Sequence, residues 1–80
     1  MFYYLYILLC KNNKLYTGIA RDVEARFELH KSGRGAKYTQ RNKPERIVYK
    51  KRFKTKSEAL KREFEIKQMT KEQKLKLFSK

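Results

Sequence analysis

The sequence predicts a small α+β domain: a three-stranded antiparallel sheet flanked by helices. Residues 2–10 and 14–20 are rich in β-branched and aromatic types and flank Lys11-Asn12-Asn13, the pattern of a hairpin. Further on, Thr55-x-x-Glu58 and Thr70-x-x-Gln73 are capping-box patterns, each opening a helix. Length bounds the rest, because a chain of 80 residues buries only ~60% of its unfolded surface. Residues 1–80 therefore form a single domain, too small for a large ligand cavity.

Each element has a local cause. Asparagine tolerates the left-handed backbone of a tight turn, and a three-residue loop with Asn13 in that region pairs Cys10 with Lys14, Leu8 with Tyr16 and Tyr6 with Gly18. Side chains alternate along a strand, so this register sets Tyr4, Tyr6, Leu8, Tyr16 and Gly18 on one face. A two-residue loop would place Tyr6 opposite Ile19 and send the tyrosines to opposite faces. Asp22 is an N-cap for a helix at about 23–31, with Glu24 and Glu28 outward and Gly33 as terminator. On its wheel Val23, Arg26, Phe27 and His30 fall together, so Arg26 and His30 flank the inward stripe.

Residues 32–44 hold two of the three glycines and the only proline, which reads as a long basic loop. Arg46 to Phe53 alternates as a third strand, placed at an edge by its Lys and Arg residues. The Thr55 box opens a helix running to about Gln68, and the Thr70 box opens a short last helix anchored by Leu75 and Phe78.

Charge narrows the function. Lys and Arg number 22 against 8 Asp and Glu, a formal charge of +14. That balance calls for an acidic partner, with nucleic acid ahead of anionic membrane or acidic protein. The excess is concentrated: residues 31–56 carry eleven positive side chains and one negative. Lys37, Arg41, Lys43 and Arg46 are the expected phosphate contacts, and Tyr38 can stack on an unpaired base. A lone Cys10 excludes an internal disulfide, and a lone His30 excludes a Cys/His zinc cluster. Both fit a reducing, cytoplasmic setting. The apolar run from Phe2 to Cys10 is too short for a membrane span and lacks the flanks of a signal peptide. Gly33-Arg34-Gly35 has neither P-loop nor dinucleotide spacing.

Glu63 is the strongest local anomaly. On the wheel it lies within the apolar stripe of Ala59, Leu60, Phe64 and Ile66. A buried, unpaired carboxylate costs several kcal/mol, so Glu63 needs a cation: Lys67 one turn on, an Arg, or a metal ion. From these residues alone the ion pair is the better account. Arg26 and His30, one turn apart beside a tyrosine-bearing strand face, form a candidate phosphate clamp, although a single His in such a position is more often structural. A Cys10–His30 nucleophile pair is disfavoured, because Cys10 sits beside the hairpin turn and at no helix N-terminus.

Together these residues form a more specific pattern. Tyr4-Leu5-Tyr6, Leu15-Tyr16-Thr17-Gly18-Ile19, Arg26-x-x-x-His30, Gly35-Ala36-Lys37-Tyr38-Thr39 and Glu63-x-x-Ile66-Lys67 resemble, in order and spacing, the GIY-YIG nuclease superfamily and its small stand-alone members. The resemblance spans about residues 3–68. It implies a metal-dependent phosphodiesterase acting on DNA. Carried across, Tyr6 is the base that orients and deprotonates the attacking water, and Tyr16 supports it. Arg26 holds the scissile phosphate, His30 relays a proton or contacts phosphate, and Glu63 ligates one divalent ion, Mg²⁺ by expectation. A tyrosine of ordinary pKa is a poor base at neutral pH, so a metal or cation such as Arg26 is expected to lower that of Tyr6.

The reading that follows is a Mg²⁺-dependent DNA endonuclease, structure-directed or weakly sequence-dependent. The alternative is a non-catalytic nucleic-acid-binding module on the same scaffold. A third is a basic surface protein on an acidic protein partner, with Glu63 in a plain ion pair.

Overall fold

A computed structural model describes residues 2–79. Strands β1 (Tyr3–Cys10) and β2 (Lys14–Ala20) form the hairpin, and β3 (Pro44–Phe53) returns along the other side of β1. The sheet order is β2-β1-β3, antiparallel throughout. Asn12 and Asn13 both take φ 63°, so two asparagines, and not Asn13 alone, absorb the left-handed backbone. The register pairs Cys10 with Lys14, Leu8 with Tyr16 and Tyr6 with Gly18, as the three-residue loop requires.

Strand β3 is an edge strand and begins two residues before Arg46. It carries a bulge at Val48, since Ile7 faces Tyr49 while Leu8 faces Ile47. The extra residue breaks the alternation. As a result Val48 and Tyr49 pack on one face and Ile47 on the other.

Helix α1 (Val23–Lys31) starts where the Asp22 carboxylate accepts from the Ala25 amide at 3.0 Å. It ends in a Schellman turn, with the Gly33 and Arg34 amides donating to the carbonyls of His30 and Leu29. Gly33 sits there at φ 84°, a position that favours glycine. Helices α3 (Lys56–Lys67) and α4 (Lys71–Phe78) both begin with complete capping boxes, at Thr55 and Thr70.

The structure corrects three local expectations. Residues 32–44 are not all loop: Lys37–Arg41 forms a short helix, α2, packed against α1. Side chains stabilise it, with Gln40 donating to the Gly35 carbonyl and Asn42 to that of Tyr38. The inward stripe of α3 is narrower than its wheel suggests, because Ala59 and Ile66 are buried while Leu60 and Phe64 face solvent, Phe64 at 69%. On α4 it is Leu77 and Phe78 that reach the core, and Leu75 is exposed.

Two cores result, one on each side of the sheet. Tyr6, Leu8, Cys10, Ala20 and Val23 pack under α1, with Tyr16, Phe27 and Ile47 around them. Leu5, Ile7 and Ile66 pack under α3 and α4. Each fully buried aliphatic side chain contributes about 1.5–3 kcal/mol, which suffices to fix the sheet between its layers. No helix among the described residues is long and apolar enough to cross a membrane.

Candidate active site

The site lies on the sheet face under α1. The hairpin register brings Tyr6 and Tyr16 to that face, their ring centroids 6.3 Å apart. Gly18, directly opposite Tyr6, leaves the space that the Tyr6 ring fills. A Cβ at Gly18 would lie 2.6 Å from the Tyr6 hydroxyl, so the glycine there permits a close approach that no other residue allows.

His30 arrives from the last turn of α1 and is buried to 2% exposure. Its Nε2 lies 3.1 Å from the Tyr6 hydroxyl and its Nδ1 2.7 Å from Thr39 Oγ1. Thr39, itself buried on α2, has a single hydroxyl proton, directed at the Ala36 carbonyl at 2.9 Å. Thr39 is therefore the acceptor toward His30, and Nδ1 carries the ring proton. Nε2 is left free to accept from Tyr6. The chain Tyr6, His30, Thr39, Ala36 is satisfied from end to end, as buried polar groups must be. Gly35 completes it, since a Cβ at that position would collide with the His30 ring.

Electrostatics follow from burial. Desolvation pushes the Tyr6 pKa well up, and the neighbouring Tyr16 adds to it, while the Arg26 guanidinium opposes and the Glu63 carboxylate raises it further. Arg26 acts in the expected direction, and burial outweighs it. Burial also holds His30 below the ordinary imidazole value, with Arg26 reinforcing the shift. The ring is neutral at pH 7, as the free Nε2 requires. The Cys10 thiol is buried and its pKa pushed up, which removes it as a nucleophile.

The other candidates occupy distinct places. Arg26 is solvent-exposed on α1, one turn before His30. Glu63 belongs to α3, on the opposite layer, and its half-buried carboxylate pairs with Lys67 at 3.4 Å. That is the ion pair considered from the sequence. Its charge nonetheless reaches Tyr6. Among the described residues no three His, Cys, Asp or Glu side chains cluster as a metal cage. A single carboxylate fits only an ion that keeps most of its waters or takes its remaining ligands from phosphate, which is the habit of Mg²⁺.

Lys37, Tyr38, Arg41, Lys43 and Arg46 are all exposed, the first three on α2. The four basic residues make no ion pair among the described residues. Tyr38 lies with its ring centroid 5.9 Å from Tyr16, and Tyr16 is 5.1 Å from His30. An aromatic row thus leads from the buried hydroxyl to the surface. Thr39, Gly18 and Gly35 join the site only through the fold. Their only sequence signal is membership of the Tyr16-Thr17-Gly18 and Gly35-Ala36-Lys37-Tyr38-Thr39 motifs.

Comparison with known proteins agrees with this fold. The GIY-YIG catalytic domain model matches residues 2–76. The chain is 53% identical over 77 residues to UPF0213 protein SSP2268 of Staphylococcus saprophyticus, covering 96% of this chain and 94% of that protein. It is 51% identical over 75 residues to UPF0213 protein SH2523 of Staphylococcus haemolyticus, covering 94% and 92%. The solution NMR structure of UPF0213 protein BH0048 from Bacillus halodurans aligns with a TM-score of 0.61 at 43% identity, over 96% of this chain and 82% of that one. With one domain model spanning the sheet, helices α1 to α3 and every residue of the Tyr6–His30–Thr39 chain, the protein belongs to the GIY-YIG catalytic domain family, alongside its small UPF0213 members.

Proposed function

We propose that this protein is an intracellular, metal-dependent endonuclease that hydrolyses phosphodiester bonds in DNA, directed by substrate structure or weakly by sequence. The observation that carries the reading is the buried chain from Tyr6 through His30 to Thr39, a proton path with a defined direction. Burial disfavours a standing tyrosinate, so Tyr6 acts as base by exchange. Its Oη takes a proton from the attacking water as its own proton passes to His30 Nε2, leaving an imidazolium; the hydroxide bonds to phosphorus as the bond from phosphorus to the leaving sugar oxygen breaks, and that oxygen takes a proton from solvent. Thr39 holds the ring in the tautomer that can receive that proton. Arg26, exposed one turn from His30, offsets the charge that builds on the phosphate oxygens, and Tyr16 packs against the His30 ring.

Glu63 is the residue that would hold a divalent ion, Mg²⁺ being the expected one, which would supply charge neutralisation at the phosphate. The pairing with Lys67 and the lack of a cluster of three metal-ligating side chains among the described residues favour the second reading, a nucleic-acid-binding module that does not cut. Wild type and Glu63→Ala incubated with labelled single-stranded, duplex, flap and branched DNA, with and without Mg²⁺, separate the two. Metal-dependent cutting that is lost in a folded Glu63→Ala supports the nuclease. Binding without cutting by both proteins establishes the module.

A further inference from the structure

The hairpin turn, the start of β2 and the start of α4 enclose a cleft of about 270 Å³. Its charged lining consists of Lys14, Lys71 and Lys74, with no carboxylate. Asn12 and Asn13 contribute carboxamides from the turn, and Tyr38 and Leu15 form the apolar walls. Among the described residues the three lysines make no ion pair, whereas Lys31, Lys50, Lys67 and Arg62 each sit against a glutamate. Lys74 is half-buried and lines the cleft.

Position gives the cleft its meaning. Tyr38 is both its wall and the outer member of the aromatic row that begins at His30 and Tyr16. Lys14 precedes Tyr16 on the same face of β2, two residues and ~7 Å along the strand. Three ammonium groups exclude a cation and disfavour a purely apolar ligand. An anion that carries a flat ring matches the whole lining, with charge for the lysines, a π-face for Tyr38 and polar edges for the asparagines.

We propose that this cleft is a subsite for one unpaired nucleotide of a nucleic-acid strand, next to the phosphate that reacts, with its phosphate held by Lys14, Lys71 and Lys74 and its base against Tyr38. The assignment rests on the nucleic-acid reading above and extends the binding surface to α4, outside the basic segment 31–56.

The test is a binding titration without divalent metal, using a fluorescein-labelled thymidine octanucleotide as the probe. The Lys71→Glu/Lys74→Glu pair should raise Kd at least about tenfold and reduce the slope of log Kd against log salt by ~0.7, the value for one lost phosphate contact on a single strand. Tyr38→Ala should weaken binding about tenfold, with Tyr38→Phe close to wild type. In an NMR titration the amides of Asn12, Asn13 and Lys14 should shift. A Lys71→Gln/Lys74→Gln pair decides the matter if charge reversal lowers the melting temperature. Unchanged affinity and salt slope in a folded lysine pair, or amide shifts confined to residues 37–46, would overturn the proposal. So would inorganic phosphate moving the turn amides as strongly as the oligonucleotide, since the cleft would then be a simple anion site. Because binding is read without metal, a protein that fills this cleft and cuts nothing removes the nuclease reading and leaves the subsite standing.

Discussion

On the sheet face under α3, Leu5, Ile7 and Ile66 are sealed from solvent among other apolar side chains. On the face under α1, Tyr6, His30 and Thr39 are sealed almost as completely, yet each carries a polar atom that must be matched. The first face gains stability from burial alone. The second ties its burial to a hydrogen-bond chain, and so gains direction: the tautomer of His30 and the target of the Tyr6 proton are both fixed. One residue stands outside this division. Thr17, opposite Ile7 in the hairpin, is buried and its hydroxyl has no partner among the described residues.

The contrast can be broken or sharpened by substitution. The largest effect is expected from Ile66→Ala, which should cost about 2–5 kcal/mol of stability through the lost apolar burial and the cavity left behind. Denaturant unfolding measures it, and the cleavage rate of the protein that remains folded should be unchanged. Arg26→Ala should do the reverse. Its guanidinium is exposed, so melting should barely move, while single-turnover cleavage should slow ~100-fold, equivalent to about 3 kcal/mol of transition-state stabilisation. Equal losses of cleavage and affinity would make Arg26 an ordinary phosphate contact.

The same substitution on the two faces should have opposite signs. Thr39→Val leaves His30 Nδ1 without its acceptor and should destabilise the protein by about 1–3 kcal/mol and slow cleavage, with Thr39→Ser restoring both. Thr17→Val replaces an unpartnered buried hydroxyl by a methyl and should be neutral or stabilising by about 1 kcal/mol. Melting curves of the two valine variants decide the point. If both fall equally, the division of labour between the faces is wrong.

A smaller effect separates the faces by pH. Burial, reinforced by Arg26, lowers the His30 pKa in the folded state from its ordinary 6.5. As pH falls, the unfolded chain takes up the proton first. The stability tied to neutral His30 is therefore complete above the unfolded pKa and is lost as pH drops through it toward the folded value. Cleavage should fall in the same acid direction, because Nε2 must be free to accept from Tyr6. Melting curves from about pH 8 to about pH 5 should show this acid limb in wild type and lack it in His30→Gln.

Much of this arrangement is legible in the sequence because its causes are local. The tripeptide at Asn12 and Asn13 sets the hairpin register, which alone puts Tyr6 and Tyr16 on one face. The caps at Asp22, Thr55 and Thr70 act within one helical turn, so three helices are readable from their first residues. Other features depend on tertiary contact. Helix α2 is five residues long and lies among glycines and a proline, so its own sequence argues for loop, and packing on α1 decides otherwise. The wheel of α3 spreads Leu60, Glu63, Phe64 and Ile66 over one broad arc and cannot tell which half turns inward. The roles of Gly18 and Gly35 are defined by the Tyr6 and His30 rings that occupy the missing Cβ positions, and no spacing along the chain announces them. The balance at Tyr6 has the same cause. A nearby cation is visible in sequence, whereas the depth of burial that outweighs it is not.

The central claim is that the Tyr6 hydroxyl, bonded to His30, is the group through which the water proton leaves. Tyr6→Phe removes that oxygen and keeps the ring, so single-turnover cleavage, measured beside DNA affinity and a melting curve, tests it most directly. The account predicts at least ~100-fold slower cleavage with affinity unchanged and the fold intact. Cleavage by Tyr6→Phe at the wild-type rate would contradict it.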